Sequence, residues 1–170
     1  AYLKDIGLPA WVGGWTLAII GLANAVGSIS SGWLSGRLPK RYILSFIYLG
    51  RSIAVLAFIL IPASPATAML FGLVMGLLWL STVPPTSALV ALMFGTRYLA
   101  TLLGVSFVVH QLGSSLGAWG GGLIFDLSGA YDYAWQIGTL IGFMAGVVQI
   151  VAGGPSRRHD AKFETAIATT

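Results

Sequence analysis

The sequence predicts an all-α polytopic membrane protein with five transmembrane helices, and three observations carry that prediction. Five long apolar stretches are joined by short connectors. The composition is 56% hydrophobic and only 8% charged, with a mean hydropathy of +0.87. A soluble domain carries about 25% charged residues, and this chain could not cover a globular surface with so few. Lys and Arg also fall on alternate connectors. The first holds Arg37, Lys40 and Arg41, the second (62–66) none, the third Arg97, the fourth (127–133) none, and the tail Arg157, Arg158 and Lys162. Basic flanks resist translocation, so the alternation sets an orientation with the basic connectors and the tail in the cytoplasm.

The same numbers exclude other classes. The net charge of +4 does not imply a nucleic-acid partner, because the basic residues sit at helix ends rather than on one patch. With no Cys there is no disulfide or thiolate metal site, and no metal or cofactor is expected. The start, Ala1-Tyr2-Leu3-Lys4-Asp5, has no initiator Met or basic n-region and reads as if cut from something longer.

A hydrocarbon layer about 30 Å thick needs roughly 20 apolar residues in a helix. After an outer loop at 1–10, the spans read as 11–34, 42–61, 66–95, 98–126 and 133–153, followed by a disordered cytoplasmic tail at 154–170. Pro9 suits the first turn of the first span. Ser64 reads as an N-cap with Pro65 as the next helix's first residue. The third span is overlong and holds Pro84-Pro85. Each proline removes an amide donor and crowds the preceding turn, so a kink is expected. Asp132 reads as the N-cap of the fifth span, while Asp126 reads as a cap or a tie between outer helix ends.

Glycines recur every four residues. Gly113, Gly117 and Gly121 stripe the fourth span, Gly138, Gly142 and Gly146 the fifth, and Gly72 and Gly76 begin a stripe on the third. Small residues at this spacing let backbones approach closely in lipid. The stripes read as packing faces or as faces that slide during a conformational cycle.

Mid-span polar residues are the candidate substrate pathway. Arg51 lies about nine residues from the cytoplasmic end of its span, on the order of 13 Å. A guanidinium at that depth costs at least about 2.5–3.5 kcal/mol and needs compensation, from a substrate anion or from polar neighbours that it braces. His110, beside Gln111, can titrate near neutral pH and could carry a proton or bond to a neighbouring helix. No Asp or Glu lies at mid-depth. Asn24, Ser28 and Ser31 share one side of the first span. Trp79, Ser81, Thr82, Thr86 and Ser87 surround the proline pair, where a broken helix could line a solvated cavity. Back-bonding to helix carbonyls is the alternative for each hydroxyl.

The first connector reads Gly32-Trp33-Leu34-Ser35-Gly36-Arg37-Leu38-Pro39-Lys40-Arg41. This resembles the G-x-L-x-D-R-x-G-R-K loop of the major facilitator superfamily. Gly32, Leu34, Arg37, Lys40 and Arg41 match, Gly36 replaces the acidic residue, and Pro39 replaces the second glycine. The resemblance implies that the five spans are helices eight to twelve of a twelve-helix transporter, part of its C-terminal six-helix bundle. Arg37 and Arg41 would then bind acidic helix ends and bias the inward-closed state, and the helix carrying Arg51 would be peripheral. The segment with Arg97, Ala100, Gly104, Gly113, Gly117, Asp126, Gly129 and Tyr131 is similar to the monocarboxylate and organic-anion porter branch. Where animal monocarboxylate carriers hold an Asp and an Arg on helix eight, this chain has Asn24 and Ser28. Their i, i+4 spacing is kept without the charges.

These readings imply a secondary transporter moving a small organic solute, a carboxylate anion by resemblance, through alternating access. Its partners would be the lipid bilayer, the solute and the missing N-terminal half, and its home a bacterial inner membrane. The alternatives are a non-transporting sensor or inactive paralogue, and an intramembrane hydrolase. Ser28 or Ser87 could pair with His110 in such an enzyme, but no G-x-S-x-G elbow accompanies either.

Overall fold

The computed structural model describes Leu3 and residues 7–152. The tail expected at 154–170, and most of the loop expected at 1–10, lie outside the described residues. Within them, five helical spans are long and apolar enough to cross a membrane. They are α1 (Ala10–Ser35), α2 (Lys40–Leu60), a broken third span, α5 (Leu99–Ser128) and α6 (Asp132–Ala152). The third span consists of α3 (Pro65–Trp79), a 3₁₀ turn (Leu80–Thr82) and α4 (Val83–Phe94). At 1.5 Å per residue, the 21-residue α2 and α6 match a hydrocarbon layer of about 30 Å, and the 26-residue α1 exceeds it.

Local chemistry sets the helix ends. Ser64 caps α3 through a capping box: its Oγ accepts from the Thr67 amide at 3.2 Å, and its own amide donates to Thr67 Oγ1 at 2.8 Å. Pro65 follows as the first helical residue. Pro9 and Pro39 are the N-caps of α1 and α2, with extended ψ values of 144° and 122°. Pro9 therefore stands just before the first turn rather than inside it, because the N-cap position takes an extended ψ while the first turn needs a helical one. Gly129 ends α5 in the left-handed region at φ 69°, where a side chain would be strained. Asp132 is the first residue of α6 rather than its cap, where its charge complements the helix dipole. Asp126 lies inside α5 and is exposed, so it is no cap.

The prolines act at the start of a helix, not in its middle. Pro84 and Pro85 fall in the first turn of α4, where amide donors have no intrahelical partner to lose. The chain tightens into the 3₁₀ turn just before them.

Packing divides the bundle. α1 lies along α3 and the 3₁₀ turn, and α2 lies along α6 and against α3 and α4. The α1–α3 contact is made by absent side chains. A Cβ on Gly76 would come 2.7 Å from the Ile20 carbonyl oxygen and 2.8 Å from Ala23 Cβ, so the backbones can meet only without it. Gly27 abuts the Leu77 carbonyl in the same way. Between α2 and α6, Gly142 and Gly146 receive Ser52 and Leu49, and Ser45 Oγ donates to the Gly146 carbonyl at 2.8 Å. Gly138 and the whole Gly113, Gly117, Gly121 stripe face open space among the described residues. α5 rests lightly on α4 and α6, and none of its residues is buried. The outer surface is apolar: Ile29, Leu22 and Leu127 are 75%, 74% and 81% exposed. Such a surface is stable in lipid and not in water.

Candidate functional site

Residues near the middle of three spans enclose a cavity of about 400 Å³. α2 supplies Tyr48 and Arg51, the break between α3 and α4 supplies Trp79, Leu80, Thr82, Val83, Thr86 and Ser87, and α5 supplies Leu103, Ser106, Phe107, His110 and Ser114. The broken span shapes this space. The 3₁₀ turn before the proline pair joins α3 to α4, and residues on both sides of it line the same opening.

Arg51 is half-buried, and its guanidinium carbon lies 4.9 Å from the centre of the Trp79 ring. The indole face gives the cation partial compensation. No carboxylate lines the cavity among the described residues. Three of the hydroxyls around it, those of the broken span, already donate to helix carbonyls: Thr86 Oγ1 to Thr82 at 2.6 Å, Ser87 Oγ to Val83 at 3.0 Å, and Thr82 Oγ1 to Trp79 at 3.5 Å. Their oxygens therefore face the space as acceptors. Donor capacity toward an anion comes from Arg51 and Tyr48 on α2, with His110, Ser106 and Ser114 on α5 lining the same opening. Ser87, the hydrolase candidate, donates to Val83 rather than to His110.

Arg51, Trp79, Thr82 and His110 are thus brought together, while Asn24, Ser28 and Gln111 are not part of the lining. Asn24 instead bonds to the backbone of the broken span, where its Oδ1 accepts the Leu80 amide at 3.2 Å. It holds the first residue of the 3₁₀ turn from the neighbouring helix. Ser28 is half-buried on α1, where its carbonyl accepts Ser31 Oγ at 3.1 Å. Gln111 is exposed on α5. Sequence reasoning missed Tyr48, Ser106, Phe107 and the pathway position of Ser114. Each stands three or four residues from Arg51 or His110, the spacing that shares a helix face.

The connector residues form one basic end of the bundle. Gly36 caps α1, and Gly32 packs opposite Pro84 with room for a Cβ at 3.7 Å. Arg37 lies over the Trp33 ring at 3.7 Å. Arg41 lies over Tyr42 at 4.6 Å and donates to its hydroxyl at 3.0 Å, and Lys40 opens α2.

Five apolar spans long enough to cross a membrane define an integral membrane protein. Residues 1–169 match the family model of the Major Facilitator Superfamily, and the chain belongs to that superfamily of membrane transporters. Over 141 residues it is 26% identical to a protein of Bacillus subtilis (strain 168) described as "Uncharacterized MFS-type transporter YcxA", covering 79% of this chain and 34% of that relative. The chain therefore spans about a third of the relative's length. No solved structure matches it. The family is one of transporters rather than enzymes.

Proposed function

We propose that this chain forms helices eight to twelve of a secondary transporter that moves a small organic anion, a carboxylate, by alternating access against an N-terminal half. One observation carries the reading. Arg51 is a mid-span cation facing a cavity, and the groups around it are an indole, hydroxyls and an imidazole rather than a carboxylate. A cation held at that depth, with no acidic partner among the described residues, suits a visiting anion. The resemblance to the monocarboxylate and organic-anion branch supports the same substrate class. Asn24 and Ser28 stand where the animal carriers hold their charged pair, so anion recognition here shifts to Arg51 and His110.

The test is counterflow of radiolabelled organic acids into proteoliposomes containing the full-length protein. Saturable exchange of at least one carboxylate is expected, and its loss in Arg51→Gln ties the exchange to this cavity. Binding without exchange would favour a sensor, and the absence of saturable exchange with any acid would count against the proposal. The orientation, in a bacterial inner membrane with the C-terminus in the cytoplasm, rests on the alternating basic connectors. Reporter fusions at Ser64 and Ser128 are expected to report the side opposite to a fusion at the C-terminus.

A further inference from the structure

The second large opening in the bundle lies away from the polar cavity. α1 and α2 are consecutive, yet they barely touch, and the cleft between them is floored by α3. It measures about 760 Å³ and is bounded by Ile29, Trp33 and Leu34 of α1, Phe46 and Gly50 of α2, and Leu78 of α3. Ile29 is 75%, Phe46 71% and Trp33 58% exposed, so the cleft opens sideways, out of the described bundle. Its walls run from the last turn of α1 toward mid-span, on the order of 10 Å along the helix axis. That is most of one leaflet's hydrocarbon depth of about 15 Å, half the bilayer core.

Basic residues stand beside the end of this apolar cleft nearest the connector. The Arg37 guanidinium lies 3.7 Å from the centre of the Trp33 ring, and Trp33 is a wall residue of the cleft, so the charge lies beside that wall. Lys40 and Arg41 follow in the first turn of α2, which also holds the wall residue Ile43. No acidic residue occurs between Asp5 and Asp126, so these three cations have no carboxylate in the helices that form the cleft.

We propose that the cleft is an anionic phospholipid site, with the phosphate held by Arg37, Lys40 and Arg41 and an acyl chain lying between α1 and α2. The two halves of the site match the two halves of that ligand. A bare apolar cleft would take any acyl chain, but a triple cation beside its connector end selects a net negative headgroup over a zwitterionic one, whose ammonium would meet like charge.

The experiment uses full-length protein, purified in detergent and checked for monodispersity, titrated with phosphatidylglycerol or phosphatidylcholine of identical chains. Retained lipid is read by native mass spectrometry. Phosphatidylglycerol is expected to be retained at least about tenfold better than phosphatidylcholine. The triple variant Arg37→Gln, Lys40→Gln, Arg41→Gln is expected to abolish that preference, and Arg37→Gln alone to reduce it should the triple variant fail to fold. Ser30→Phe, which places a ring in the cleft, is expected to lower retention of both lipids. Equal retention of the two lipids, or a preference that survives the triple variant, would overturn the proposal. So would retention unaffected by Ser30→Phe, the result expected if another helix of the protein fills the cleft. Binding of inorganic phosphate with no retention of either lipid would show an anion contact without a lipid site, and would equally refute it.

Discussion

The guanidinium of Arg51 lies 4.9 Å from the centre of the Trp79 ring, joining the middle of α2 to the last residue of α3. This stack sits at the edge of the polar cavity, so the same cation can brace two helices and face a solute. The two roles separate experimentally. Arg51→Gln is expected to raise the KM for an organic anion at least about tenfold, the loss of one charge-assisted contact of about 1.5–3 kcal/mol. Arg51→Lys keeps the charge but not the flat stack, and is expected to fall between the two. Unchanged affinity with a lowered thermal midpoint would assign Arg51 to bracing alone.

Asn24 supplies the acceptor for the Leu80 amide across the α1 interface. In lipid an amide without a partner has no water to turn to. Asn24→Leu is therefore expected to destabilise the protein by about 1–3 kcal/mol. An SDS unfolding titration measures this. Substrate affinity in the folded fraction is expected to stay near normal, because Asn24 does not line the cavity.

Two glycines on opposite faces give opposite expectations. At Gly76 a Cβ would press on the Ile20 carbonyl at 2.7 Å, so Gly76→Leu forces α1 and α3 apart and costs at least about 1–3 kcal/mol. At Gly21 a Cβ meets nothing within 4 Å. Gly21→Ala is expected to stabilise its helix by about 0.5–1 kcal/mol, because alanine loses less backbone freedom on folding. Thermal midpoints of the two variants, moving in opposite directions, are the check.

These residues also mark where sequence reading succeeds. The Ser64 N-cap and the break beside Pro84-Pro85 depend on neighbours in the chain, and both are legible from it. Hydropathy runs give the spans because lipid imposes a length on every crossing helix. Asn24 reads as a pathway residue because its side chain is polar at mid-span. Its actual partner is Leu80, on another helix, and no local pattern announces that bond. The glycine stripes show the same division. Gly72 and Gly76 meet α1, Gly142 and Gly146 meet α2, and Gly113, Gly117 and Gly121 face open space. Spacing shows that a face is smooth, while the topology decides what lies on it. For the cavity, Arg51 and His110 stand out as isolated polar groups. Tyr48 and Phe107 look like ordinary apolar-face residues until the helices are placed together.

His110 offers the sharpest test of coupling to protons. It faces the cavity from α5, and the other titratable groups lining that space are Arg51 and Tyr48. A protonated imidazole would add a second positive charge opposite Arg51, and so would favour entry of an anion. With His110 as the coupling group, uptake is expected to rise as the pH is lowered. His110→Gln keeps a polar side chain of similar reach but cannot take up a proton. It is expected to flatten this profile while leaving a residual, pH-independent rate carried by Arg51. Initial rates at a series of pH values, with the pH equal on both sides of the proteoliposome membrane, separate the cases. A uniform loss of rate at every pH would make His110 a packing residue. An unaltered profile would move the proton to a group outside this cavity.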